Sequence, residues 1–142
     1  MKQITEDYVS YETAVLLKEK GFPQSEYANT LPYYTQNKNL YFGDINTVRQ
    51  RFYNEAIAPS QSIALKWLRE VHKIHIDVFI GSDESYDADG VMVDEWHFWT
   101  YYITNTSGDM IYDAYNEVDV IEYQTHEEAV EAALLYVLKN LI

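Results

Sequence analysis

The residues best equipped for chemistry are carboxylates. Asp83, Glu84, Asp87, Asp89, Asp94 and Glu95 fall within 13 residues. Carboxylates at that density hold a hard cation or meet a basic surface. The string Ser85-x-Asp87-x-Asp89-Gly90 follows the opening of an EF-hand calcium loop. It then departs: position one is Ser85 rather than aspartate, and position twelve is Trp96 rather than the bidentate glutamate. The flanks also carry strand patterning instead of helices. The reading is a solvated acidic loop over 82–95 that serves a partner with a basic surface.

Histidine offers less. His72 and His75 are three apart with Asp77 nearby, a spacing that shares one face only on a continuous helix. A helix-to-strand switch is expected between them. His97 sits in the aromatic run Trp96-His97-Phe98-Trp99, and His126 opens the last helix. Four scattered histidines do not make a zinc or iron site, and no metal is expected. The chain has no cysteine, no G-x-S-x-G elbow, no P-loop and no G-x-G-x-x-G. No catalytic residue and no cofactor is assigned. A second candidate site is a pocket lined by Trp96, Trp99, Tyr101 and Tyr102, with Asp77 or His97 converging on it. A third group, Lys66, Arg69 and Lys73 with Arg49 and Arg51 upstream, reads as a solvated helix face.

These groups must be positioned by a small α+β chain. Ser10 is placed to cap a first helix of about ten residues, with Tyr11, Ala14, Val15 and Phe22 on its stripe and Gly21 just past its end. Tyr33-Tyr34-Thr35 and Leu40-Tyr41-Phe42 flank a polar loop and predict a small hairpin. From Gly43 to Ala58 the pattern is ambiguous, with Ile45, Val48 and Phe52 at helical spacing. Ser60 caps a second helix whose stripe is Ile63, Ala64, Trp67, Leu68 and Val71. Ile74, Ile76, Val78 and Ile80 then alternate as a strand ended by Gly81. Trp96 to Thr104 is apolar on both faces and predicts a central strand. A turn around Gly108 leads to a third strand, Met110 to Tyr115. Thr125 and Glu128 form a capping box for the last helix, whose stripe is Ala129, Ala133, Tyr136, Val137 and Leu141. The expected fold is a single domain over 1–142: an antiparallel sheet of three or more strands with about three helices packed on it, in the order α, small hairpin, α-β-β-β-α.

The charge excludes one class of function. From Ile74 to Leu138 there is no lysine or arginine, against 15 acids, and the net charge is −13. The order of elements after Pro59 is that of double-stranded RNA-binding domains, but those need cations across phosphates. Direct nucleic-acid binding is therefore rejected. The absence of cysteine fits a reducing compartment, and Met1 to Glu12 lacks the apolar core of a signal peptide. The longest apolar run is far short of the ~20 residues that span a bilayer. A cytoplasmic protein with no membrane association is expected. The 14 tyrosines read as lining a half-buried sheet.

Three stretches resemble a group of small uncharacterised proteins encoded by phages, prophages and mobile elements of gut bacteria. They are Val9 to Phe22, Pro59 to Gly81 and Glu127 to Ile142, with W-L-R-E-V-H-x-I-H-I (Trp67 to Ile76) as the signature. The resemblance covers both ends and the middle of the chain and brings no activity, cofactor or residue role with it. It implies an accessory gene of a mobile element in a bacterial cytoplasm. The functional expectation is a non-enzymatic acidic protein that binds a host or phage protein, in a sharper version by imitating nucleic acid. The alternatives are a small-molecule- or cation-binding protein or enzyme built on the aromatic pocket, and a homodimer paired through tyrosine-rich strands.

Overall fold

The computed structural model describes residues 5–28, 30–43, 54–116 and 120–142. The chain is α+β, as expected, and gathers into two compact units. One comprises Met1–His72 with Leu134–Ile142, and the other Lys73–Ala133.

In the first unit, α1 spans Tyr11–Glu19. Ser10 Oγ accepts the Thr13 N–H at 3.3 Å, satisfying one of the orphan donors of the first turn. At the other end the Phe22 N–H reaches Leu17 O at 2.8 Å and the Gly21 N–H reaches Lys18 O at 3.1 Å. This double closure needs a left-handed residue, and Gly21 supplies φ 96°. The buried face is Thr13, Ala14 and Leu17. A 3-10 turn covers Ser25–Tyr27. Strands β1 (Tyr33–Thr35), β2 (Leu40–Tyr41) and β3 (Asn54–Ile57) form an antiparallel sheet in the order β2-β1-β3. The small hairpin is present, with Phe42 outside it and exposed. Ile45, Val48 and Phe52 lie outside the described residues. The ambiguous segment ends as β3, paired with β1.

Helix α2 spans Gln61–His72, and Ser60 Oγ accepts the Ile63 N–H at 3.3 Å. Ala64 and Leu68 are buried, but Val71, expected on the same stripe, is 58% exposed. Phe22 is held between Tyr27 and Trp67, each with ring centroids 5.5 Å away. Leu134, Val137 and Leu138 complete the core of this unit.

The second unit is a meander. Strands β4 (Ile74–Tyr86), β5 (Met92–Asn105) and β6 (Met110–Asp113) pair antiparallel in chain order, with β5 central as expected. Successive residues Thr100 and Tyr101, then Ile103 and Thr104, are buried, so this part of β5 is covered on both faces. Helix α3 spans His126–Asn140. Its capping box forms: the Glu128 N–H donates to Thr125 Oγ1 at 3.1 Å, and Glu128 Oε2 accepts the Gln124 N–H at 3.2 Å. Ala129, Val130 and Ala133 are fully buried or nearly so. Between α2 and β4, Lys73 sits at φ 59°, the left-handed conformation that stops the helix before His75. The switch between His72 and His75 is therefore real, and the two do not share a helical face.

Candidate functional site

The acidic segment is not a loop. β4 runs past Gly81 to Tyr86, and β5 begins at Met92 rather than Trp96, so most of 82–95 is a two-stranded arm. The reason lies in its turn. The Asp87 N–H donates to Val91 O at 2.9 Å, and the Gly90 N–H donates to Asp87 O at 3.1 Å. Gly90 takes φ 78°, giving a three-residue hairpin loop with glycine at its left-handed position. Asp87 Oδ1 accepts the N–H groups of Asp89 and Val91 at 2.9 and 3.0 Å. The string that copies a calcium loop is turn chemistry: the Asp87 carboxylate is occupied by its own backbone. The same device recurs at Asn105–Asp109. There Asn105 Oδ1 accepts the N–H groups of Ser107 and Asp109, and Gly108 takes φ 92°. The β1–β2 hairpin uses the same loop, but with Lys38 at φ 65° in the position glycine holds elsewhere.

Along the arm Asp83, Glu84, Asp94 and Glu95 are exposed, as are Asp87 and Asp89 at the turn. Glu84 stands directly opposite Glu95 in the ladder. Like charges in that position repel, so part of the arm's pairing energy is spent holding two carboxylates together. The apolar residues here are exposed too: Ile80, Tyr86, Val91, Met92 and Val93 range from 49 to 61%. Tyr86 donates its hydroxyl to Glu84, and that bond, reinforced by the carboxylate's charge, holds the Tyr86 pKa above its ordinary value.

The aromatic pocket residues are not brought together. In the register of β4 and β5, Asp77 pairs with Tyr102 and Asp83 with Trp96, whereas Val78 pairs with Tyr101, Ile80 with Trp99 and Ser82 with His97. Period two puts Asp77, Tyr102 and Trp96 on one face, and His97, Trp99 and Tyr101 on the other. Asp77 accepts the Tyr102 hydroxyl, which holds the Tyr102 pKa above its ordinary value. Trp96 Nε1 donates to Glu122 at 3.0 Å. On the opposite face Trp99 meets His126 edge-on at 5.0 Å, and Tyr101 lies 6.0 and 6.2 Å from Tyr112 and Tyr123. Burial pushes the Tyr123 pKa up. His97 lies 3.7 Å from Glu95 and is exposed.

Sequence reasoning missed Tyr115. The chain leaves β6 after Asp113 and returns to β5 only at Tyr123, whose N–H and C=O exchange bonds with Trp99, each 2.8 Å. From that excursion Tyr115 lies across the sheet, 5.7 Å from Phe79 and 6.1 Å from Phe98. It crosses directly over Gly81, where an added Cβ would meet Tyr115 Cε2 at 2.7 Å, and its hydroxyl donates to Ser82 O at 3.0 Å. Tyr115 therefore straps the base of the arm. Nothing local in the sequence marks this, except a glycine inside an otherwise apolar strand.

Among the described residues, no strand pairs with the outer edge of β4. Trp99 exchanges bonds with Tyr123, and Tyr101 O accepts from Ala114, so odd-numbered residues of β5 face β6. Their partners Ile76, Val78, Ile80 and Ser82 therefore point backbone N–H and C=O away from β5. Among the described residues, Ser82 O alone of these outward groups is hydrogen-bonded, accepting from the Tyr115 hydroxyl.

Elsewhere the first unit has a surface cleft of about 400 Å3 lined by Tyr11, Glu12, Val15, Leu16, Lys38 and Lys139. Lys139 pairs with Glu12 at 2.7 Å inside it, and Lys38 stands 5.5 Å from the Tyr11 ring centre. On α2, Lys66 pairs loosely with Glu70 at 3.9 Å, both well exposed. Arg49 and Arg51 lie outside the described residues. Among the described residues no three His, Asp or Glu side chains converge as a metal site, and no helix is long and apolar enough to cross a membrane. No known protein family, curated protein or solved structure matches this chain.

Proposed function

We propose that the chain is a binding protein without catalytic activity, and that the arm from Ser82 to His97 engages a basic surface of another protein. The observation that carries this reading is the arm's composition where it is exposed. Six carboxylates share the arm with Tyr86, Val91, Met92 and Val93, with Ile80 just before it, and these apolar residues are about half or more exposed. Isolated surface hydrophobics are ordinary, but a cluster on a two-stranded arm is the composition of a contact patch. The carboxylates steer a cationic partner and the apolar residues supply contact area. A basic partner also relieves the repulsion between Glu84 and Glu95. The imitation of nucleic acid is one form of this reading, in which the partner's surface normally meets phosphates. The resemblance to phage- and prophage-encoded proteins supports an accessory role in a bacterial cytoplasm. The reading based on an aromatic pocket loses its geometry, because its residues occupy two faces of the sheet.

The test is affinity capture from bacterial lysate, eluted in rising salt, with Asp83→Asn/Asp89→Asn/Asp94→Asn beside the natural chain. Asp87 is kept because it holds the turn. A captured basic protein that is released by moderate salt and lost in the variant supports the arm as the working surface. Equal capture by both chains sinks the reading.

A further inference from the structure

We infer that the outer edge of β4 takes up an extended segment of a partner protein as an additional strand, and that this segment alternates basic and apolar side chains. The inference rests on the reading of the arm as a partner-binding element and names the mode of binding. β4 is 13 residues long and forms the edge of its sheet. Long edges are ordinarily blunted by charged side chains, proline or bulges. β4 has no lysine or proline, it bulges only at Ser85–Tyr86, and its charges, Asp77, Asp83 and Glu84, are all acidic, so they repel a like strand and admit a basic one. Beyond the buried Ile76, the outward N–H and C=O groups of Val78 and Ile80 offer a ladder of the kind that binds peptides by strand addition.

The two faces of β4 specify the occupant. Asp77 and Asp83 lie on one face, six residues apart, about 20 Å along a strand. Ile76, Val78 and Ile80 lie on the other, and Ile80 is 58% exposed. An added strand with Lys or Arg toward the first face and Val or Ile toward the second would pair both carboxylates and cover Ile80. A second copy of this chain fits poorly. β4 carries Asp77, Asp83 and Glu84 with no lysine or arginine, so two copies would set acids against acids.

The probe is a terminally blocked peptide of about eight residues alternating Arg and Val, beside the same peptide N-methylated at every residue. The second keeps the charge and loses the donors. Binding is measured by calorimetry, and the backbone amides of Val78 and Ile80 are followed by NMR hydrogen exchange. The expected result is that the first peptide binds at least ~10-fold more tightly and slows those amides, because only it completes the ladder. Ile80→Pro removes an outward N–H without touching the β4–β5 ladder, and should abolish that difference while leaving the charge unchanged. Equal binding of both peptides with unprotected amides overturns the edge inference and leaves the acidic arm standing. Binding of neither overturns both. Protection of the same amides in the chain alone, with a dimer by light scattering, makes the occupant a second copy and overturns the inference.

Discussion

Gly81→Ala tests whether Tyr115 holds the base of the arm. Gly81 is buried in β4 and its φ is not left-handed, so alanine is compatible with the backbone there. On conformational grounds alone the change would stabilise by ~0.4–1 kcal/mol. The new methyl would nevertheless sit 2.7 Å from Tyr115 Cε2 and 3.0 Å from Phe98 Cε2, and the tyrosine must yield. The cost is bounded by what Tyr115 contributes. Its two ring contacts, at 5.7 and 6.1 Å, and its bond to Ser82 O are half-exposed. Each is worth ~0.5–1.5 kcal/mol when well formed, and about 2 kcal/mol for all three is a fair ceiling at this exposure. The net expectation for Gly81→Ala is a loss of ~1 kcal/mol, the strap's cost less the backbone gain. In a Tyr115→Ala background the main obstacle is gone. There Gly81→Ala should be neutral or stabilising, so the two changes couple by ~1–2 kcal/mol. Urea unfolding of the four chains, followed by tryptophan fluorescence, measures the cycle. Additive effects of the two substitutions would refute the strap.

Three further outcomes are expected. Tyr102 and Tyr86 have folded pKa values raised above 10.0 by hydrogen bonds to Asp77 and Glu84, so the stability these bonds give is fully present below pH 10 and is lost as pH rises through the raised values. Titration of tyrosinate absorbance should show these late phases, and Asp77→Asn should move one back toward the ordinary range; an unchanged curve contradicts the assignment. Glu95→Lys replaces the repulsive pair with Glu84 by an attractive one, so arm amides should exchange about two- to five-fold more slowly while capture of a basic partner weakens; faster exchange would show that the repulsion is immaterial. Lys73→Gly relieves a left-handed lysine at φ 59° and should raise stability by ~0.5–1 kcal/mol in thermal unfolding, with a loss arguing that the lysine side chain matters more than its backbone.

The elements with local punctuation were legible. Ser10, Gly21, Ser60, Thr125 and Glu128 do at their helix ends what their types predict. The arm was misread because aspartate and glutamate are poor strand formers, and turn chemistry at Asp87 and Gly90 looked like the start of a metal loop. What overrides propensity is register: once Gly90 closes the hairpin, each residue of the arm has a partner across the ladder. Trp96, His97, Trp99, Tyr101 and Tyr102 lie close in sequence and read as one pocket, although neighbours in a strand face opposite ways. Tyr115 and the outer edge of β4 are tertiary facts, since each depends on where the chain goes after Asp113.

The recurring three-residue turn also bears on the order of assembly. The sheet from Ile74 to Asp113 is closed by two such turns, so each new strand pairs with the one made just before it, and the search for partners stays short. The other unit waits for distant chain: Lys20 donates to Ile142 O at 2.7 Å across 122 positions. On a ribosome the meander can form while the unit holding α1 still lacks Leu134–Ile142.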